Sequence, residues 1–185
     1  IANTKELHEQ LVWWANALGL TGSPFDSFLT LRGLRTLDAR LRVHQENAIG
    51  IAEQLQAHPA VTAVHYPGLL SHTGHTLAAR QQKGFGAMLS VEIGGGIAGV
   101  QAFLDGLECF TLAESLGGVE SLVAHPATMT HAAMSLEART AAGIGDGLLR
   151  LSIGIEALED LQNDLQAALD RVVALQEKKR IEALA

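Results

Sequence analysis

Leu148 to Ile155 reads LLRLSIGI, an apolar run in which Arg150 is the one charged residue. The pattern predicts a buried strand over Leu148–Ile153. A guanidinium cannot shed its charge, so burying it is costly unless an anion meets it. Two arrangements satisfy that need: a structural ion pair, or a pocket for a ligand carboxylate, which the planar fork grips through both oxygens. The second decisive stretch is Thr111 to His131, TLAESLGGVESLVAHPATMTH. It sets the turn glycines Gly117 and Gly118 beside Glu114 and Ser115. Together the stretches describe one wall of a site for a small amphoteric ligand such as an amino acid.

Outward from this pair, periodicity supplies the other elements. Leu7, Leu11, Trp14 and Leu18 are spaced for a helix that Gly19 stops, with Asn3 or Thr4 as cap. Ser23-Pro24 opens a long helical region ending before Pro59, with a buried stripe through Phe28, Leu31, Leu34, Leu37, Leu41, Ala48, Ile51 and Leu55. Strands are expected at Val61–Tyr66, Ala87–Ile93 and Leu122–Ala124. Helices are expected at His75–Gln82, Ala98–Gly106, from Ser135 through Ala142, and at Leu158–Leu175. Gly94-Gly95-Gly96 marks a turn. Short strands alternating with helices give an α/β layer structure, whose strand order the pattern does not fix.

Composition bounds the chemistry. The chain has 185 residues, 48% of them hydrophobic but only 4% aromatic, so the core is aliphatic. The net charge of −7, with no basic run except Lys178-Lys179-Arg180, argues against a nucleic-acid partner. No apolar run is long enough to span a membrane. The single cysteine, Cys109, excludes an internal disulfide, suits a reducing compartment, and is expected to be a small core or edge residue. Among eight histidines, His65, His72 and His75 lack supporting acids or thiols at metal-ligand spacing, and no metal site is expected. Gly143 to Gly147 lacks the preceding strand of a dinucleotide fingerprint.

Four long segments also carry a resemblance. WWANALGLTGSPFDSFLTLRGLRTL (Trp13 to Leu37), GHTLAARQQKGFGAMLSVE (Gly74 to Glu92), AESLGGVESLVAHPATMTHA (Ala113 to Ala132) and LLRLSIGIE (Leu148 to Glu156) resemble the C-terminal part of the Cys/Met-metabolism enzymes that use pyridoxal phosphate. The likeness is nearest the branch acting at Cγ of cystathionine. It implies an aspartate-aminotransferase-like (fold type I) architecture, in which 59–185 form a small C-terminal domain with a mainly antiparallel sheet and covering helices. Residues 1–58 would then be the end of the large cofactor domain plus the connecting helix.

The resemblance also implies site residues. Arg150 becomes the clamp on the substrate α-carboxylate. Ser115 helps place the cofactor-bearing lysine, while Glu114 engages the distal ammonium of cystathionine or the amino group of incoming cysteine. From the residues alone, the other reading of Glu114 is a plain surface acid. His125 and His131 support the site wall. Trp13 and Trp14 are expected to pack against the large domain; Arg32 and Arg35, one turn apart, either form salt bridges or reach the cofactor environment, the structural option being favoured. The Schiff-base lysine is expected upstream of Ile1, because the only lysines are Lys5, Lys83, Lys178 and Lys179 and none has the family's surrounding motif.

The implied reaction is trans-sulfuration: O-acyl-L-homoserine and L-cysteine give L-cystathionine, as in methionine biosynthesis, in a cytoplasmic homotetramer. Cleavage of cystathionine at Cγ is the close alternative. A non-catalytic amino-acid-binding fragment is the alternative from another class.

Overall fold

The structure, a computed structural model, describes residues 2–184. Its chain divides into two compact units, one up to Asp38 and the other from Ala39 onward. The first unit carries helix α1 (Lys5–Leu18) and helix α2 (Pro24–Leu34). The Thr4 hydroxyl accepts from the Leu7 N–H at the start of α1, and Gly19 closes it at φ +67°. Ser23 caps α2 in the same way, with Pro24 in its first turn.

The single long helix expected after Pro24 is instead two. After Arg35 the Thr36 N–H reaches back only to the Gly33 carbonyl, at 3.3 Å. That tighter turn ends α2, and helix α3 (Leu37–Ala57) begins beyond it. The expected buried stripe also needs correction. Phe28, Leu31, Leu34, Leu37 and Leu41 are exposed, as are Leu7, Leu11, Trp13, Trp14 and Leu18. Burial begins at His44 and continues through Asn47, Ala48, Ile51, Ala52 and Leu55.

The second unit contains a five-stranded sheet of strands β1 (Val61–His65), β2 (Met88–Ile93), β3 (Thr111–Leu112), β4 (Leu122–Ala124) and β5 (Leu148–Ser152), in the order β1-β2-β5-β4-β3. All pairings are antiparallel except β3 with β4. The sheet is thus mixed and mainly antiparallel, within the α/β class that the sequence implies. The short strand β3 was not anticipated. Helices α4 (His75–Gln81), α5 (Gly96–Leu104), α6 (Leu136–Ala141) and α7 (Leu158–Glu182) complete it, α7 running two turns past its expected end.

Side-chain alternation separates the two faces of the sheet. Leu89, Val91 and Ile93 of β2 and Leu149, Leu151 and Ile153 in and after β5 are buried in one core, with Ile51 and Leu55 of α3, Phe103 of α5, and Leu161, Leu165 and Leu169 of α7. The opposite face of β5 presents Arg150 and Ser152. In register with them lie Ser90 and Ala124 beside Arg150, and Met88 and Leu122 beside Ser152. Arg150 therefore does not enter the apolar core: the strand is packed against helices on its other side.

Tyr66, the only tyrosine, is fully buried beyond β1 and donates to the Gly86 carbonyl at 2.8 Å. Burial pushes its hydroxyl from the ordinary 10.0 up to about 12. A folded chain that keeps a proton the unfolded chain releases loses stability as pH rises, so this contribution is intact below pH 10.0 and declines toward about 12. Phenolate absorbance of the 185-residue chain should rise near pH 12, or abruptly with loss of helical circular dichroism. A transition at pH 10.0 in a chain that stays helical would contradict this account.

Candidate functional site

The turn after β5 is fixed first. On the buried face of α3, His44 Nδ1 donates to the Ile153 carbonyl at 2.6 Å, and Asn47 Nδ2 donates to the carbonyls of Gly154 and Glu156 at 3.2 and 2.9 Å. The Glu156 carboxylate accepts from the Ser121 N–H at 2.7 Å and the Ser121 hydroxyl at 2.9 Å. The same hydroxyl oxygen accepts from the Gly154 N–H at 2.8 Å. Glycine is needed at 154 because a Cβ there would fall 2.4 Å from the Val119 carbonyl oxygen. This clip sets the end of β5 against the start of β4.

With that frame fixed, the segment from Glu114 to Gly118 crosses the Arg150 face of β5. Arg150 Nη2 donates to the Glu114 carbonyl at 2.7 Å and to the Ser115 carbonyl at 3.0 Å. Ser152, two residues along the same strand face, accepts the Gly117 N–H on its hydroxyl oxygen at 2.9 Å. Gly117 has φ +76°, a conformation that disfavours a side chain. The structure thus brings Arg150, Glu114 and Ser115 together, but through the main chain of the last two. The side chains of Glu114 and Ser115 remain exposed.

Of the two arrangements open to Arg150, the ion pair is not formed. No carboxylate of the described residues makes a salt bridge with it. Its Nε is buried and has no hydrogen-bond partner. Two neutral carbonyls hold one nitrogen of a full positive charge, and the rest of the fork is unspent. Such a guanidinium is suited to an incoming carboxylate.

Just beyond β4, His125 is held at both ring nitrogens. Its Nε2 donates to the Asp146 carbonyl at 3.1 Å, and its Nδ1 accepts from the Thr128 hydroxyl at 2.8 Å. Both ring nitrogens are thereby engaged in hydrogen bonds. Arg139 adds a bond to the Ala127 carbonyl at 3.0 Å and stands 3.7 Å from Asp146. His131 Nδ1 meets the neighbouring Thr130 hydroxyl at 2.8 Å.

Other residues singled out in the sequence lie elsewhere. His75 Nδ1 donates to the Pro67 carbonyl and its ring stacks on Phe85, whereas His65 pairs with Glu92 at 2.7 Å. Cys109 packs partly against the core; burial, then the charges of Asp164, Asp160, Glu156 and Glu108, raise its thiol pKa. That environment disfavours the nucleophilic thiolate. Arg32 and Arg35 line a groove of about 250 Å³ with Phe28 and Leu31, and neither forms a salt bridge among the described residues.

The lysines do not provide a cofactor attachment point. Lys5 pairs with Glu9 at 3.7 Å on the exposed surface of α1, and Lys83, Lys178 and Lys179 are exposed. None of these four amines therefore sits in a buried pocket that would enclose a cofactor aldehyde. Ser152, Glu156, His44 and Asn47 were not picked out as site-ordering residues by sequence reasoning. Their common signal is a polar side chain set into an apolar strand or helix face.

Residues 1–170 match the family described as Cys/Met metabolism PLP-dependent enzyme. The chain is 56% identical over 166 residues to cystathionine gamma-synthase of Escherichia coli (strain K12), covering 90% of this chain and 43% of that protein. It is 50% identical over 169 residues to cystathionine beta-lyase of Coxiella burnetii, covering 91% and 44%. A crystal structure of cystathionine gamma synthase from Xanthomonas oryzae pv. oryzae, in complex with aminoacrylate and cysteine, superposes with TM-score 0.89 at 74% identity, covering 94% of this chain and 45% of that one. The chain thus spans less than half the length of these relatives.

Proposed function

Because this chain belongs to the Cys/Met-metabolism family of pyridoxal-phosphate-dependent enzymes, we propose that it is the C-terminal part of a cystathionine γ-synthase. The proposed reaction joins O-acyl-L-homoserine and L-cysteine. The Cγ–O bond breaks, a Cγ–S bond forms, and the acyl group leaves as its acid while L-cystathionine is released. The observation that carries the reading is Arg150, a guanidinium without an acidic partner among the described residues, held beside Glu114 by two main-chain carbonyls. The high identity to two proteins named as cystathionine γ-synthases supports the choice of reaction.

In this proposal Arg150 binds the α-carboxylate and fixes the reacting carbons relative to the strand. Glu114, with an exposed side chain, receives the ammonium at the far end of cystathionine or the amino group of the incoming cysteine. Ser115 faces the cofactor-bearing lysine, which we place in the portion of the relatives that this chain does not span. In the family, pyridoxal phosphate supplies an electron sink for bonds near the α-carbon. We assign residues 59–185 to the small domain and 1–58 to the end of the large domain with the connecting helix. The exposed Trp13, Trp14, Phe25 and Phe28 support a covering surface from the rest of the protein. A cytoplasmic homotetramer is the proposed assembly; among the described residues no helix is long and apolar enough to cross a membrane.

The test uses the full-length, cofactor-loaded protein. O-Acyl-L-homoserine plus L-cysteine should yield L-cystathionine. Release of cysteine and 2-oxobutanoate from supplied cystathionine, without synthesis, would replace this reading with a γ-lyase. Homocysteine release would indicate cleavage at Cβ. Binding of amino acids without turnover would identify a binding module.

A further inference from the structure

The segment carrying Glu114 and Ser115 has few tethers. Its flanks are fixed: the Ala113 N–H bonds the Val123 carbonyl at 2.9 Å, and the Ile155 N–H bonds the Val119 carbonyl at 2.9 Å. Between these points, among the described residues, only Arg150 and Ser152 hold residues 114–118 to the sheet. Arg150 pulls on the carbonyls of Glu114 and Ser115 through Nη2 alone. Either two-pronged grip that a guanidinium can offer a carboxylate uses that nitrogen. That nitrogen carries two hydrogens, and two carbonyls already engage it, so a carboxylate arriving at Arg150 competes with the segment for one of them.

Ser152 is outside that competition. It is 1% exposed on β5, and its oxygen meets the Gly117 N–H at 2.9 Å. We infer that Ser152 is a positioning residue, the tether that keeps Glu114 and Ser115 in place while Arg150 turns one Nη2 hydrogen from the segment to the substrate carboxylate. Without Ser152 the segment would be left on a single remaining bond to Arg150 when the carboxylate binds, and the substrate's two ends would meet a less fixed pair of partners. This inference rests on the proposed role of Arg150 as the carboxylate clamp.

The experiment compares full-length, cofactor-loaded wild type with Ser152→Ala, Arg150→Ala and Val172→Ala. The last removes core volume in α7, where Val172 is fully buried away from the segment. The readouts are KM and kcat for O-acyl-L-homoserine, thermal midpoint, and amide hydrogen exchange of a peptide containing Gly117. Losing one hydrogen bond should accelerate Gly117 exchange by roughly 3- to 10-fold in Ser152→Ala and raise KM by about 10-fold, with kcat changed less than about 3-fold.

Val172→Ala should lower the thermal midpoint while leaving KM and Gly117 exchange near wild type. Unchanged Gly117 exchange or KM in Ser152→Ala would overturn the inference, as would an equal rise in KM in Val172→Ala. If Arg150→Ala binds substrate like wild type, the clamp reading itself fails. If Arg150→Ala raises KM but Ser152→Ala does not, only the tether is refuted.

Discussion

Arg150→Ala in the full-length enzyme should lower kcat/KM for O-acyl-L-homoserine by about 100-fold or more, mainly through KM. Removing one side of a desolvated, hydrogen-bonded charge pair typically costs about 2–5 kcal/mol, and no carboxylate of the described residues diverts this guanidinium. Arg150→Lys keeps the charge but loses the planar fork, so it should recover only part of the loss. The two bonds to the carbonyls of Glu114 and Ser115 also disappear, so a stability decrease of about 1–2 kcal/mol should accompany the kinetic effect. Steady-state kinetics with a parallel thermal melt separates the two contributions. A wild-type KM in a folded Arg150→Ala enzyme would remove Arg150 from substrate binding.

The largest stability effect is expected at Asp164. Its carboxylate accepts three consecutive backbone N–H groups, from Glu108 at 3.0 Å, Cys109 at 2.8 Å and Phe110 at 3.1 Å. The residue is 8% exposed, so Asp164→Ala strands these donors with little access to water. A cost of roughly 3–5 kcal/mol is expected, because bonds to charged groups contribute about 1.5–3 kcal/mol each and do not add fully. Asp164→Asn, which keeps one acceptor oxygen, should lose less. Asp164 also helps raise the Cys109 pKa, second to burial, so the Ala variant should expose a thiol that alkylates faster at neutral pH. Urea unfolding and the alkylation rate measure both effects; a stability loss below about 1 kcal/mol would show that water replaces the carboxylate.

These two residues differ in how well the sequence announces them. Arg150 is conspicuous because a charge interrupts an apolar strand, although its burial was overestimated: alternation gives the charge its own face, away from the helices. Asp164 looks like an ordinary acid in an amphipathic helix. Yet it shares the face of Leu161, Leu165 and Ala168, and that position on an apolar stripe was the available signal. His44 and Asn47 on α3 are the same kind of clue. The capping boundaries at Thr4, Ser23 and Ser135 were legible because the cap side chain bonds locally.

Strand β3 was not, since two residues offer no periodicity and its pairing depends on distant Leu122 and Val123. The break after α2 has no proline to mark it. The contacts of Glu114 and Ser115 with Arg150 run through main-chain carbonyls, which residue type does not encode. What residue type did carry was the grouping of an acid, a hydroxyl and a guanidinium near a glycine turn.

The position of β5 has a consequence for the order in which the protein is made. Of the five strands described it is the last to be synthesised, and it lies in the middle of their sheet. Until residues 148–152 emerge, β2 and β4 each lack a neighbour along one edge. Translation at about 5–20 residues per second leaves those edges open for seconds. A nascent chain stalled before Leu148 therefore presents two ready strand edges for mispairing, and the β1–β2 pair cannot shield either of them. The step that completes the sheet is also the step that delivers Arg150, so premature termination there removes the guanidinium and leaves an aggregation-prone remnant.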